Sequence, residues 1–464
     1  MNMKKTLLLS LALGLASASP LMAATVDVYL TGSTAFRQNC YEASKKLFVG
    51  SNPTIYYGDA AHGGANSGFS SSTASWVMSG TPVGTLTNLS GDTLVVHGLF
   101  TGSIQGVQTV EQSVKLAFPK ADGLGNPGGL TLNYVTNTPT IAFSDASVSV
   151  TPYPATGNYA EEDVAVLPFV ICKSRAAGDV SNYVNNVTWE QLAYGIPQGR
   201  IPVSAWSNKD GDDRTNKFIY LLQRTSDSGT RRAETAQQYF GFGDPVGVYI
   251  YDVTNQFWYL PTSSTATAIG NSPFGVVGPA GLGSVNQNWG YGYVGGGNIA
   301  SVLNNNVGPN AFSISNQCIG YLSLTDAKGV GASNWVQVVS FNGLWPTAAG
   351  PGIRGQINGT TNDFSPITLG YYPCWSQLVL VHIINPSANP PGDQNISQTK
   401  LGNNTTPGSF LGVFNAQTLI NGGLPIVGSI ENEIEISKTN SATAIRLSDM
   451  KSSRASVGGT ISPF

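Results

Sequence analysis

Apolar residues fall in short runs that switch between two spacings. Val26 to Leu30 alternates as a strand does, and Phe36, Cys40, Ala43 and Leu47 then recur at helical spacing between Phe36 and Phe48. The same order returns farther on, where Thr93 to Phe100 predicts a strand and Gln105 to Leu116 a helix with Val107, Val110 and Val114 on one face. Val164 to Ile171 and Phe218 to Gln223 are compact apolar runs suited to buried parallel strands. Thr188 with Gln191 has the form of a capping box, opening a short helix that Gly195 and Pro197 would close. Arg231 to Phe240 predicts a helix directly after a strand and a Ser-Gly turn, while Ile319 to Ser323, Val336 to Phe341 and Leu378 to Ile384 predict later strands. Two stretches break this rhythm: a Gly/Ser-rich insertion at 51–92, and a segment at 242–298 rich in Gly, Asn and aromatic residues. Alternating strands and helices imply an α/β architecture with mainly parallel sheets. In such folds ligands sit at the carboxyl ends of strands, where helix N-termini converge.

Composition narrows the function. The 464 residues suffice for roughly two or three domains. Only 11% are charged while 41% are hydrophobic, a balance opposed to intrinsic disorder. With 23 Lys and Arg against 26 Asp and Glu, and no basic block, nothing can track a phosphodiester backbone, so nucleic acid is excluded as a partner. His62, His97 and His382 are widely separated and the cysteines are scattered, so no metal-ligand spacing occurs and no cofactor is expected. Met1 to Lys5, Thr6 to Ala16 and Ser17 to Ala24 follow the positive, apolar, small-residue order of a secretory signal, with cleavage near Ala24. That apolar run falls short of the ~20 residues a membrane-spanning helix needs, and no later run reaches that length, so a mature periplasmic or secreted chain that spans no membrane is expected. Export permits disulfides. Cys40, Cys172, Cys318 and Cys374 allow three pairings, or can remain buried thiols.

Three strand-to-turn segments place backbone N–H groups and hydroxyls where an anion could reach them: Gly32-Ser33-Thr34-Ala35-Phe36, Thr101-Gly102-Ser103-Ile104 and Ser228-Gly229-Thr230. The first N–H groups of a helix lack internal partners and sit at the positive end of its dipole, which suits a tetrahedral oxyanion. Ordinary N-capping draws on the same residue types. Arg224 lies four residues before Ser228, so its guanidinium can reach across the turn and match two oxygens of a phosphate; a salt bridge to Asp227 or Glu234 is the bland alternative. Asp145 ends the apolar run Ile141-Ala142-Phe143-Ser144. Beside an anion a carboxylate is tolerated only if the anion brings a proton, so hydrogen phosphate would be accepted and fully ionised sulfate repelled. Capping or an Asx turn would equally account for an Asp there.

The order of these segments resembles the phosphate-binding component of bacterial phosphate ABC transporters, within the type 2 periplasmic binding protein superfamily. Leu30-Thr31-Gly32-Ser33-Thr34-Ala35-Phe36 resembles that family's first anion loop, Thr101-Gly102-Ser103-Ile104-Gln105-Gly106 its second, and Phe143-Ser144-Asp145-Ala146 the segment whose Asp meets the phosphate proton. Arg224-Thr225-Ser226-Asp227-Ser228-Gly229-Thr230 keeps the family's Arg-x-x-x-Ser-Gly-Thr spacing, its most specific element. Val187-Thr188-Trp189-Glu190-Gln191-Leu192 and Cys318-Ile319-Gly320-Tyr321 add support. Arg37 stands where the family usually has Pro, and the match fades beyond about Ser340.

The resemblance implies a two-lobed clamshell, each lobe a mainly parallel sheet flanked by helices. One lobe would be built from 25–169 plus 322–464 and the other from 170–321, with crossings near Val170 and Leu322. Ser33, Thr34, Ala35, Ser103 and Asp145 would bind phosphate from one lobe, and Arg224, Ser228, Gly229 and Thr230 from the other. It further implies a monomer that captures inorganic phosphate without chemistry and docks on an inner-membrane ABC permease. Two other classes compete. The Gly/Asn-rich insertions and low charge also suit a surface or matrix protein reusing this fold. Ser228 could be imagined as an enzyme's nucleophile, but no His lies near it in sequence.

Overall fold

The first strand, turn and helix form as their spacing predicts: β1 (Thr25–Gly32) runs into α1 (Arg37–Lys45), and Phe36, Cys40, Ala43 and Leu47 are all fully buried. In the computed structural model the described residues are 23–57, 75–121, 133–153, 159–174, 183–206, 217–226, 228–240, 246–252, 257–259, 276–277, 292–293, 295–304, 317–328, 336–348, 363–384, 396–416, 419–420, 424–425, 429–430, 434, 444–454 and 461–463. The expected signal segment before residue 23 lies outside them, as does most of 242–298. Among the described residues no helix is long and apolar enough to cross a membrane.

The chain then adds β2 (Thr54–Tyr57), β3 (Ser75–Gly80), β4 (Thr93–Leu99), α2 (Ser103–Glu111), β5 (Ile141–Ser144) and β6 (Tyr159–Ser174). After these come α3 (Trp189–Gln198), β7 (Arg200–Pro202), β8 (Phe218–Leu222), α4 (Gly229–Gln237), β9 (Cys318–Ser323), β10 (Val336–Phe341) and β11 (Trp375–Ile383). One 12-stranded sheet carries the order β7-β8-β9-β6-β11-β5-β1-β4-β3-β2, with β10 also paired to β6 and the short strand Asn186–Val187 paired to β10. The sheet is mixed and helices flank it. β1 is parallel to β4 and β5, and β8 is parallel to β9, which are the pairs that feed the candidate turns. β6 joins the two groups: Tyr159 to Pro168 pair antiparallel with β11, and Phe169 to Lys173 pair antiparallel with β9. Val170 and Leu322, where the expected crossings fall, are direct neighbours in that ladder.

Several expectations need correction. Val164 to Ile171 is the middle of the long β6 and pairs antiparallel rather than parallel, because its neighbours β9 and β11 return toward it from late in the chain. The helix expected to reach Leu116 ends at Glu111; Ser113 takes a left-handed φ of 55°, Val114 is 39% exposed, and Leu116–Pro119 pairs with Tyr134–Asn137 as a strand. The Thr188–Gln191 capping box is present, but α3 runs on through Gly195 and Pro197 and closes at Gly199, with φ 69°. Gly195 serves packing instead, since a Cβ there would lie 2.6 Å from Ile201 Cγ1. α4 opens two residues earlier than expected, at Gly229. The 51–92 insertion carries β2 and β3, which extend the sheet beyond β4; its middle, 58–74, lies outside the described residues. Cys40, Cys172, Cys318 and Cys374 are all buried thiols and none is in a disulfide, and burial pushes each above its ordinary range.

Candidate functional site

Parallel pairing places β1 between β4 and β5, so the turns that follow these three strands open at one end of the sheet. Ser33 follows β1, Ser103 begins α2 after β4, and Asp145 follows β5. On the other side of β6, Arg224 follows β8 and Ser228 caps α4, its hydroxyl accepting the Arg231 N–H at 3.3 Å.

Asp145 is where the two groups meet. The Ser33 hydroxyl donates to Asp145 Oδ1, and the Thr230 hydroxyl donates to Asp145 Oδ2 at 3.2 Å. The Asp145 backbone N–H donates to Ser103 Oγ at 3.3 Å. Gly229 packs so closely here that a Cβ would lie 2.6 Å from Ser103 Oγ and 2.8 Å from Asp145 Cβ. Ser33, Ser103, Asp145, Arg224, Ser228 and Thr230 are all at most 5% exposed, so charges and hydroxyls here act at close range and out of bulk water. Burial pushes the Asp145 carboxyl above its ordinary value, while the Ser33 hydroxyl, the Arg224 charge and the Thr230 hydroxyl pull it back. Asp326 adds to the upward push.

Arg224 Nε donates to the Tyr293 carbonyl at 3.2 Å, and the guanidinium charge acts on Asp145. Glu234, one of the salt-bridge partners considered for it, instead accepts from Gln223 Nε2 at 3.1 Å and feels the charge of Arg231. Asp227 lies outside the described residues. Seven of the nine expected site residues thus gather around Asp145 and the opening of α4. Thr34 and Ala35 stay at the turn after β1, Thr34 half-buried and Ala35 buried with its carbonyl accepting from Thr325 Oγ1 at 3.4 Å; the described contacts do not bring either to Asp145.

Sequence reasoning missed four contributors. Ser376 on β11 donates through its hydroxyl to the Asp145 carbonyl at 2.7 Å, fixing the turn from behind. Arg231 is 1% exposed and donates through Nη1 to the Arg224 carbonyl at 2.9 Å; Arg232 donates to the Ser226 carbonyl through Nε and Nη2. With Arg224 these put three guanidinium groups around one helix N-terminus in a chain of net charge -3. Both Arg231 and Arg232 stand directly after Thr230, a clue the sequence did offer. Tyr293, which sits 69 residues beyond Arg224, left no local signal.

The groups gathered here are hydroxyls, a carboxylate, a guanidinium and a helix N-terminus, which together can bind an anion. The two described histidines have carboxylate partners elsewhere, His97 Nε2 with Asp27 at 2.9 Å and His382 Nε2 beside Glu162 at 3.4 Å. Among the described residues no cluster of His, Cys, Asp and Glu could hold a metal ion.

No family model and no curated protein matches the chain. Among solved structures it is similar to a candidate phosphate ABC transporter substrate-binding protein with bound phosphate from Clostridium perfringens, at 13% identity over 80% of this chain and 89% of that one, TM-score 0.38. It is also similar to an ABC-type phosphate transport receptor from Vibrio cholerae, at 13% identity over 79% and 88%, TM-score 0.36. A third is PstS from Borrelia burgdorferi, at 12% identity over 77% and 87%, TM-score 0.29. Likeness this distant leaves the ligand of this chain to be read from its own side chains.

Proposed function

We propose that the chain captures inorganic phosphate, as hydrogen phosphate, between its two groups of turns and holds it without chemical change. The observation that carries this reading is the meeting of Asp145 with Ser33, Ser103 and Thr230 beside Arg224 and the N-terminus of α4. Hydroxyl hydrogens rotate to suit their partner. An arriving phosphate accepts from Ser33, Ser103 and Thr230, the N–H groups of the first turn of α4, and the Arg224 fork, and its own O–H donates a hydrogen bond to the Asp145 carboxylate. Sulfate has no O–H to donate and leaves Asp145 repelled.

The two groups of turns belong to lobes of 25–169 plus 322–464 and 170–321, joined through β6 and β9, and closure of these lobes seats the anion. The mature chain acts outside the cytoplasmic membrane as a monomeric receptor for an ABC permease. Equilibrium dialysis of ligand-free protein against radiolabelled phosphate tests the binding role: one phosphate retained per chain, displaced by cold phosphate and not by sulfate, supports it, and no retention contradicts it. Loss of phosphate uptake on deleting the gene tests the transport role, and unchanged uptake with intact binding contradicts that part alone.

A further inference from the structure

The segment at 242–298 breaks the chain's rhythm, and one described piece of it reaches the site. Gly292–Tyr293 pairs with Val276–Val277 as a two-residue ladder, and Tyr293 also forms a parallel bridge with Arg224. The Tyr293 N–H donates to the Gln223 carbonyl at 2.9 Å, and its carbonyl accepts twice, from the Thr225 N–H at 3.2 Å and from Arg224 Nε at 3.2 Å. Tyr293 is fully buried. The approach is possible only because residue 292 has no side chain, since a Cβ there would lie 2.3 Å from the Arg224 carbonyl oxygen.

We propose that Gly292 and Tyr293 form an arm of the anion site, whose task is to fix the guanidinium of Arg224 before the ligand arrives. An arginine otherwise loses much rotamer freedom on binding, and ordering it beforehand removes that loss from the binding step. The arm holds both ends of the problem. Its backbone clamps the main chain on either side of Arg224, and the same carbonyl that takes the Thr225 N–H takes Nε, so the side chain leaves the strand in one direction. Gly292 and Tyr293 are positioning residues; they act on the anion through Arg224. As an arm of an anion site the inference rests on the phosphate reading above, while the clamp on Arg224 can be tested without it.

The experiment uses the mature chain. Its Arg224 Nε–H resonance is identified in nitrogen-15 spectra by its loss in Arg224→Lys. We expect it to exchange slowly with water in the wild type and rapidly in Gly292→Ala, with the dispersion of the backbone amides retained. Calorimetry with inorganic phosphate is expected to show the dissociation constant raised ~10-fold by Gly292→Ala. That increase should vanish in the Arg224→Lys background, because the glycine acts through the guanidinium. An Nε–H resonance unchanged in Gly292→Ala, or phosphate losses that simply add, overturns the inference. Should the wild type bind no phosphate while Gly292→Ala still frees Nε–H, the phosphate reading fails and the clamp stands. Should Gly292→Ala not fold, the wild type decides alone: slow exchange at Nε–H and at the Thr225 amide supports the clamp, and fast exchange overturns it.

Discussion

Thr230 donates its hydroxyl to Asp145 Oδ2 at 3.2 Å, joining the first turn of a helix to the end of a strand 85 residues earlier. The two lie on opposite sides of β6 in the strand order, β8 and α4 on one side and β5 on the other. A contact between them can exist only when those two parts of the sheet stand close, so Asp145 reads their approach directly.

In the proposed phosphate site, Arg224 supplies a charge that burial makes strong, and its loss leaves the anion without a fork. Arg224→Ala is expected to weaken phosphate binding by about 2–5 kcal/mol, with the melting temperature little changed. Calorimetry beside a thermal melt separates the two effects; equal affinity in the variant would remove Arg224 from the site.

Gly229 has no room for a methyl group, which would press on Ser103 Oγ at 2.6 Å and on Asp145 Cβ at 2.8 Å. Overpacking of this kind costs about 1–3 kcal/mol, and here it falls on the approach of the two groups of turns. Gly229→Ala is therefore expected to loosen phosphate binding by roughly tenfold while leaving helix content unchanged, since Ala favours helix. Titration by intrinsic fluorescence together with circular dichroism checks both halves.

In the proposed phosphate site, Asp145 carries the discrimination against sulfate. Asp145→Asn exchanges a repelling carboxylate for an amide that can donate, so sulfate is expected to compete with phosphate in the variant and not in the wild type at pH 8. The raised pKa of the wild-type carboxyl sets the direction with pH: it gains its proton as the pH falls, and the preference for phosphate narrows. Competition binding measured from pH 8 to pH 5 follows this, and a preference that widens on acidification would contradict the role.

Glu234, fully buried and held by Gln223, has its carboxyl pushed up to about 8 by burial. In the unfolded chain it releases its proton near the ordinary glutamate value. Because the folded pKa is the higher one, its contribution to stability is fully present in acid and is lost as the pH rises toward about 8. Glu234→Gln is expected to stabilise the protein by about 1–3 kcal/mol at pH 8 and to have little effect at pH 4.5. Denaturant melts at the two pH values measure the difference.

How far the sequence revealed this molecule depended on how local each feature is. Phe36, Cys40, Ala43 and Leu47 specify α1 by spacing alone, and the Thr188–Gln191 box opens α3 as written. Ser33, Ser103, Asp145 and Arg224 were legible because each ends or follows an apolar run. Partners brought by distant pairing were not. Val164 to Ile171 reads as a parallel strand until β9 and β11 arrive from far along the chain, and nothing near Tyr293 or Ser376 announces that one holds Arg224 and the other Asp145. The helix that stops at Glu111 shows the same limit: Val114 fits the apolar stripe, yet the left-handed Ser113 turns the chain away into a strand that pairs with Tyr134–Asn137.

We propose that Asp145 and Arg224 together make a site for a protonated oxyanion. Isothermal calorimetry of the mature, ligand-free chain at pH 8, with phosphate and sulfate in turn, tests it most directly. One-to-one phosphate binding at micromolar concentration or below is expected, with no heat from sulfate and with phosphate binding weakened by about 2–5 kcal/mol in Arg224→Ala. Sulfate binding as tight as phosphate, or phosphate heat that survives Arg224→Ala unchanged, would contradict it.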